Sequence, residues 1–146
     1  MASWALFRQY HYLDSGINAV CRCYGASYTN NLVAFIAVIT QPHKTPYWRV
    51  SRLVVLPQFQ GVGIGKTVLN YIAALYAAKS TRPFRITTSL IGLWEGLRRD
   101  RNWQSSKRVE SGHHTRYNIV QPDRTRRSFT FVGEAGNPLI ANALLW

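Results

Sequence analysis

The segment Leu53-Val-Val-Leu-Pro-Gln-Phe-Gln-Gly-Val-Gly-Ile-Gly65 constrains this chain more than any other. A β-branched apolar run ends at Pro57, three glycines then alternate with Val62 and Ile64, and a helix-like segment begins at Lys66. Strand, glycine-rich turn and helix N-terminus in that order make a place for an anion. The turn exposes backbone N–H groups at close range, and the helix dipole favours negative charge where the helix starts. The ligand expected there carries a phosphate or pyrophosphate.

Spacing separates the phosphate loops that compete for this segment. A Walker A loop needs a glycine, four residues, then Gly-Lys-Ser/Thr. Gly65-Lys66-Thr67 supplies the end, but Gln60 stands where the first glycine belongs, and no apolar strand ending in Asp follows. A Rossmann Gly-x-Gly-x-x-Gly fails because, after Gly61 and Gly63, its third glycine would fall on Lys66. What fits is Gln/Arg-x-x-Gly-x-Gly/Ala, read as Gln60-Gly61-Val62-Gly63-Ile64-Gly65 after a Val-x-Pro strand end. That pattern, with its flanking Pro-x-aromatic-Gln-Gly, resembles the acetyl-coenzyme A loop of the GNAT acyltransferases. The plainer alternative is a glycine-rich hairpin turn.

A chain of 146 residues makes one domain, 1–146, with a real core and no room for a second. No apolar run reaches the roughly 20 residues that cross a bilayer. The N-terminus lacks a basic region followed by an apolar stretch, so a cytoplasmic protein with no membrane partner is expected. Net charge is +12. Half of the basic side chains fall between Arg98 and Arg127, opposed there only by Asp100, Glu110 and Asp123. Such a surplus attracts polyanions, nucleic acid first. Candidate contacts are Arg98, Arg99, Arg101, Lys107 and Arg108. A solvated basic face that also draws in an anionic cofactor is the alternative.

Cys21 and Cys23 alternate along an apparent strand and so share a face, which suits buried thiols better than a disulfide. With His113 or His114 they make only a weak metal pattern, and no metal is expected.

The coarse element order follows from periodicity and breakers. Ser3 would cap a short helix bearing Trp4 and Phe7. Val20 to Tyr24 and Leu32 to Thr40 read as strands joined by the Asn-rich Tyr28 to Asn31. Trp48 to Leu56 reads as a third strand, buried on both faces near its end. A helix from about Lys66 to Lys79 follows, with Val68, Leu69, Ile72, Ala73, Leu75 and Tyr76 as its apolar stripe. Phe84 to Ser89 reads as a strand and Leu90 to Arg99 as a helix with basic residues at its C-terminal end. Arg116 to Val120 and Ser128 to Val132 read as strands. Asn137-Pro138 opens a C-terminal helix from Leu139 to Trp146.

This order resembles the central and C-terminal part of a GNAT fold: a mixed, mostly antiparallel α/β (α+β) sheet flanked by helices on both faces. Barely twenty residues precede the first strand, so the resemblance implies a reduced N-terminal lobe and an acceptor side open to a large substrate.

The resemblance also implies direct transfer of an acyl group from acetyl-CoA, or another acyl-CoA, to a nucleophile. Gln60, Gly61, Val62, Gly63, Ile64 and Gly65 then hold the pyrophosphate. Leu53, Val54 and Val55 bind the pantetheine arm through backbone groups, and Lys66 and Thr67 add phosphate contacts. Many members carry a glutamate on the strand before the loop, where this chain has Trp48-Arg-Val-Ser-Arg-Leu53. Many carry a tyrosine acid in the later helix, where this chain has Trp94, and an indole cannot protonate a thiolate. His11 and Tyr12, in Tyr10-His-Tyr-Leu13, are the replacement candidates, since imidazole titrates near neutrality and a phenol can act as acid. With Ser51 and the loop they resemble the Mom-type phage proteins, which modify adenine in DNA. The alternatives are a protein or small-amine N-acetyltransferase, or a silent CoA- or nucleic-acid-binding module. Trp94 or Trp103 would be available to stack on a flipped base.

Overall fold

A tight hairpin opens the part of the chain that the computed structural model describes, residues 20–106 and 126–145. Strands β1 (Arg22–Tyr28) and β2 (Asn31–Gln41) meet through Thr29 and Asn30, both at positive φ. Two left-handed residues in succession give the twist a two-residue hairpin needs, and Asn tolerates that region well. β3 (Tyr47–Val55) pairs antiparallel with the other edge of β2. The chain then passes through a 3-10 turn (Pro57–Phe59) and the glycine loop into helix α1 (Ile64–Lys79). β4 (Phe84–Thr88), helix α2 (Ile91–Arg99), a short strand β5 (Trp103–Ser105), β6 (Arg127–Phe131) and helix α3 (Pro138–Leu144) complete the order. The six strands lie in the sequence β1-β2-β3-β4-β6-β5. Among them β3 and β4 are the one parallel pair of neighbours.

The apolar stripe of α1 lands where its periodicity puts it: Leu69, Ile72, Ala73, Leu75 and Tyr76 are buried. They pack with Ile36, Val38, Trp48, Val50, Phe84, Ile86 and Phe129 of the sheet, and with Leu97 of α2 and Ala141 of α3. All three described helices therefore share one face of the sheet. The opposite face carries a smaller cluster of Phe35, Ala37, Val54 and Leu56, with Phe59 of the 3-10 turn against it. Asn137 caps α3 by accepting from the N–H groups of Leu139 and Ile140, with Pro138 at the first helical position.

β3 contributes to both clusters because it changes phase. Ala37 faces Arg52 while Val38 faces Val50, so Ser51 is an extra residue with no partner on β2. An inserted residue of this kind swaps the alternation of side chains beyond it. Trp48 and Val50 enter the larger core, and after the bulge Leu53 joins that side while Val54 turns to the other.

Several boundaries differ from expectation. β1 starts and ends later than Val20 to Tyr24. Cys21 is half-buried and Cys23 exposed, both as free thiols; among the described strands β1 stands at the edge. β5 has no signature in the sequence; three residues are too few for a periodicity. The expected helix at Ser3, the strand Arg116 to Val120 and the His113-His114 pair lie outside the described residues.

Candidate active site

The end of β3 and the start of α1 are locked together before the glycine loop is considered. Gln60 donates its side-chain amide to the Val55 carbonyl at 2.8 Å, folding the loop back on the strand. An added Cβ on Gly65 would sit 3.3 Å from a Val55 methyl, so the first helical turn rests directly on β3. Between these anchors Gly61 and Gly63 take φ of 82° and 86°, which L side chains adopt at a cost. A Cβ at either would meet nothing within 4 Å, so backbone conformation and not crowding is what selects glycine. Gly63 is also the N-cap of α1, with no side-chain cap and no acidic residue in the first turn. The first N–H groups of a helix have no intrahelical partner. Here they open onto the loop beside Val62, whose side chain is exposed, and Ile64. These residues fit a pyrophosphate.

Lys66 and Thr67 have structural partners of their own. The Thr67 hydroxyl donates to the Gly63 carbonyl at 3.0 Å. Lys66 lies 3.6 Å from the Asp100 carboxylate, at the C-terminal cap of α2. Asp100 also accepts from the Asn70 amide of α1 at 3.0 Å and from the Asn102 N–H at 2.9 Å. Asn70 in turn accepts from the Trp103 indole of β5. This network ties the loop helix to α2 and β5. Burial pushes the Asp100 carboxyl up, but the hydrogen bonds from Asn70 and Asn102 and the charge of Lys66 outweigh it and hold it below the usual range.

Replacing Asp100 with Ala is expected to cost on the order of 2 kcal/mol near neutral pH, because two donors lose their acceptor. A depressed native pKa gives stability that is present above the ordinary value of 3.8 and is lost as pH falls through the native value. The difference between wild type and variant should therefore shrink in acid. Chemical denaturation at pH 7 and at pH 3 checks it; a difference independent of pH would mean that the carboxylate's charge contributes nothing.

The second element of the site is a gap in the sheet. The β3–β4 ladder consists of Trp48 opposite Phe84 and Arg49 opposite Arg85. Beyond these pairs β3 stays with β2 as far as Val55, while β4 turns to β6 through Thr88. The strands part into a wedge whose mouth is the glycine loop. Leu53, Val54 and Val55 line its β3 side, Val54 buried and the other two half-buried. Ser51, in the bulge, sits close to the apex.

In α2, Trp94 is half-buried and the Arg127 guanidinium of β6 lies 4.0 Å over its ring. The Trp94 indole N–H and the Arg127 Nε are both buried without a hydrogen-bond partner. Trp103 is buried in the core beside Phe84 and Phe131, so it is not free to stack on a base. Arg98 and Arg99 are exposed and both reach Glu95, at 3.0 and 3.5 Å, and Arg101 is exposed beyond the cap. His11, Tyr12, Lys107 and Arg108 lie outside the described residues. Among the described residues no cluster of His, Cys, Asp or Glu could hold a metal ion. None of the described helices is long and apolar enough to cross a membrane.

A model of the acetyltransferase (GNAT) family matches residues 2–89. The chain belongs to the GNAT acetyltransferase family. Membership makes it an acyltransferase that draws on an acyl-CoA. No curated protein sequence matches the chain. Among solved structures, a GNAT acetyltransferase from Elizabethkingia anophelis with acetyl-CoA bound superposes with a TM-score of 0.61 at 16% identity, covering 77% of this chain and 76% of that one. An acetyltransferase from Bacillus subtilis in complex with CoA gives 0.61 at 13% identity over 77% and 76%. The ribosomal-protein-S18-alanine N-acetyltransferase from Escherichia coli gives 0.53 at 14% over 83% and 75%. At such identities the likeness establishes the GNAT fold and leaves the acceptor open.

Proposed function

We propose that this GNAT protein transfers an acyl group from acetyl-CoA to an acceptor in nucleic acid, DNA ahead of RNA, in the manner of the Mom-type phage branch. The observation that carries the reading is the glycine loop at an uncapped helix start, opening into the β3–β4 wedge of a chain whose net charge is +12. The pyrophosphate would rest on the N–H groups of residues 61–66, and the pantetheine arm would follow the β3 edge of the wedge. Bound in this way, acyl-CoA supplies a thioester carbon open to attack by an amine.

Support for a polyanionic acceptor is spatial. Asp100 touches Lys66, so Arg99 and Arg101 flank the first turn of the loop helix on the exposed surface. His11 and Tyr12 are the acid and base of this reading. Ser51, at the bulge, would orient the acceptor. A second reading is acylation of a peptide or protein amine, the acceptor class of the solved S18-alanine N-acetyltransferase.

The test is incubation with acetyl-CoA and mixed DNA, RNA, peptide and small-amine acceptors, each then weighed by mass spectrometry. Acetyl mass is expected on DNA, and on none once His11 is replaced by Ala. Neutralising Arg98, Arg99 and Arg101 together should flatten the salt dependence of DNA binding, by about 1 in slope for each phosphate no longer neutralised. Saturating the protein with CoA beforehand keeps the cofactor's own phosphates out of that measurement. Acetyl mass on peptide alone, with an unchanged salt slope, makes the second reading lead.

A further inference from the structure

The wedge apex carries a pair of arginines. Arg49 and Arg85 are register partners on adjacent parallel strands, so their side chains leave the same face of the sheet side by side. That face is the one opposite α1, since Trp48 and Phe84, their neighbours in sequence, point into the helix-covered core. Like charges so placed repel, and a sheet ordinarily avoids them or sets a carboxylate between. Among the described residues neither guanidinium makes an ion pair or a hydrogen bond, and the Nε of each is buried without a partner. A surface arginine that merely reaches for solvent keeps its donors wet. Here one N–H of each is already withdrawn from water.

Among the described residues the surroundings add donors and no opposing charge. Arg85 lies 4.5 Å over the Tyr47 ring, which fixes the plane of its guanidinium and leaves the N–H edge to point elsewhere. In the same row β6 presents Thr130 opposite Arg85. One step towards the wedge mouth, the Thr87 and Ser128 hydroxyls bond to each other at 2.7 Å. The described carboxylates are elsewhere: Glu95 and Asp100 belong to α2 and its cap, and Glu134 follows β6. Two cationic forks, hydroxyl groups and one flat aromatic wall constitute an oxyanion receptor.

Position gives the receptor its use. The pair closes the wedge at the end away from the glycine loop, and Ser51 of the bulge is two residues along β3 from Arg49. A molecule bound here stands at the apex, on the face of the sheet opposite α1. We infer that Arg49 and Arg85 bind an oxyanion of the acceptor, a phosphate or a carboxylate, and so hold its nucleophile at the wedge apex. The inference rests on the acyl-transfer reading for the acceptor's role, while the anion site itself stands on the geometry of the pair.

Nuclear magnetic resonance of the arginine Nε–H groups tests it directly. The protein is saturated with CoA, which removes the loop from competition, and titrated with inorganic phosphate and, separately, with acetate. The Nε–H signals of Arg49 and Arg85 should shift saturably, with Arg127 unmoved. Arg49→Gln or Arg85→Gln should weaken anion binding by at least about tenfold, as removal of one charge-assisted partner implies. If Arg49→Gln does not fold, Arg85→Lys decides, because it keeps the charge without the fork and should bind phosphate several-fold more weakly. Preference for phosphate points to a phosphorylated or nucleic-acid acceptor, and preference for acetate to a carboxylate-bearing one. Unmoved Nε–H signals, or equal anion affinity in wild type and variants, would overturn the site. CoA affinity is read in the same series: its absence in the wild type counts against acyl transfer, not against the anion site. Its disappearance only in the arginine variants would make the pair a brace for the wedge and overturn the inference.

Discussion

Replacing Gly63 with Val should abolish most CoA binding while leaving the protein folded. The residue sits at φ 86°, a region where a side chain costs about 1–2 kcal/mol and a β-branched one more. Nothing within 4 Å would meet the new Cβ, so strain is confined to the backbone and the melting temperature should fall by only a few degrees, at about 2–4 °C per kcal/mol. The isopropyl group would instead project into the open space over the loop, where the pyrophosphate must approach. Forfeiting two charge-assisted hydrogen bonds there corresponds to roughly 100-fold in affinity. Gly65→Ala makes the contrast. Its Cβ would press on Val55 at 3.3 Å, so it should disturb packing more than access. Calorimetric titration with CoA distinguishes them, and an unchanged affinity in Gly63→Val would remove the pyrophosphate from this loop.

The features legible in the sequence are those carried by local chemistry. The stripe of α1, the Asn-rich hairpin, the Asn137-Pro138 start and the glycine loop each announce themselves within a few residues, because backbone conformation and capping are local matters. The site needs more. The bulge at Ser51 shows in sequence only as the polar pair Ser51-Arg52 inside an apolar strand, which also reads as an exposed edge. The parting of β3 from β4 depends on β4 finding β6, some forty residues later in the chain. Arg49 and Arg85 look like scattered basic residues until register brings them side by side. The exposure of Cys23 is hidden for a related reason, since nothing local says that β1 lies at the edge of the described strands. The ion pair of Lys66 with Asp100 is hidden likewise, because Asp100 is far along the chain, at the end of another helix.

That dependence on long-range pairing makes Trp48 the most consequential side chain of the core. Its backbone N–H donates to the Pro83 carbonyl at 2.8 Å, its indole donates to the Ser80 hydroxyl at 3.1 Å, and its ring lies 5.1 Å from that of Tyr76. Arg22 and Arg82 stand over it at 5.2 and 5.6 Å. The residue thus pins β3, α1 and the start of β4 at the one place where β3 and β4 are paired. Trp48→Ala should cost about 3–5 kcal/mol, as large aromatic truncations in cores do. For a chain of this length that is a fall of roughly 10 °C or more in melting temperature. The distinguishing expectation concerns function. Trp103→Ala, equally buried but at the β5 edge, should lose comparable stability and keep CoA affinity in the folded fraction. Trp48→Ala should lose affinity as well, because the wedge apex is then free to slip. Thermal melts with and without CoA separate the two variants: CoA should raise the midpoint of Trp103→Ala nearly as much as that of the wild type, and that of Trp48→Ala far less. Equal rises in both would mean that the wedge holds its shape without its apex residue, and that the glycine loop alone sets affinity.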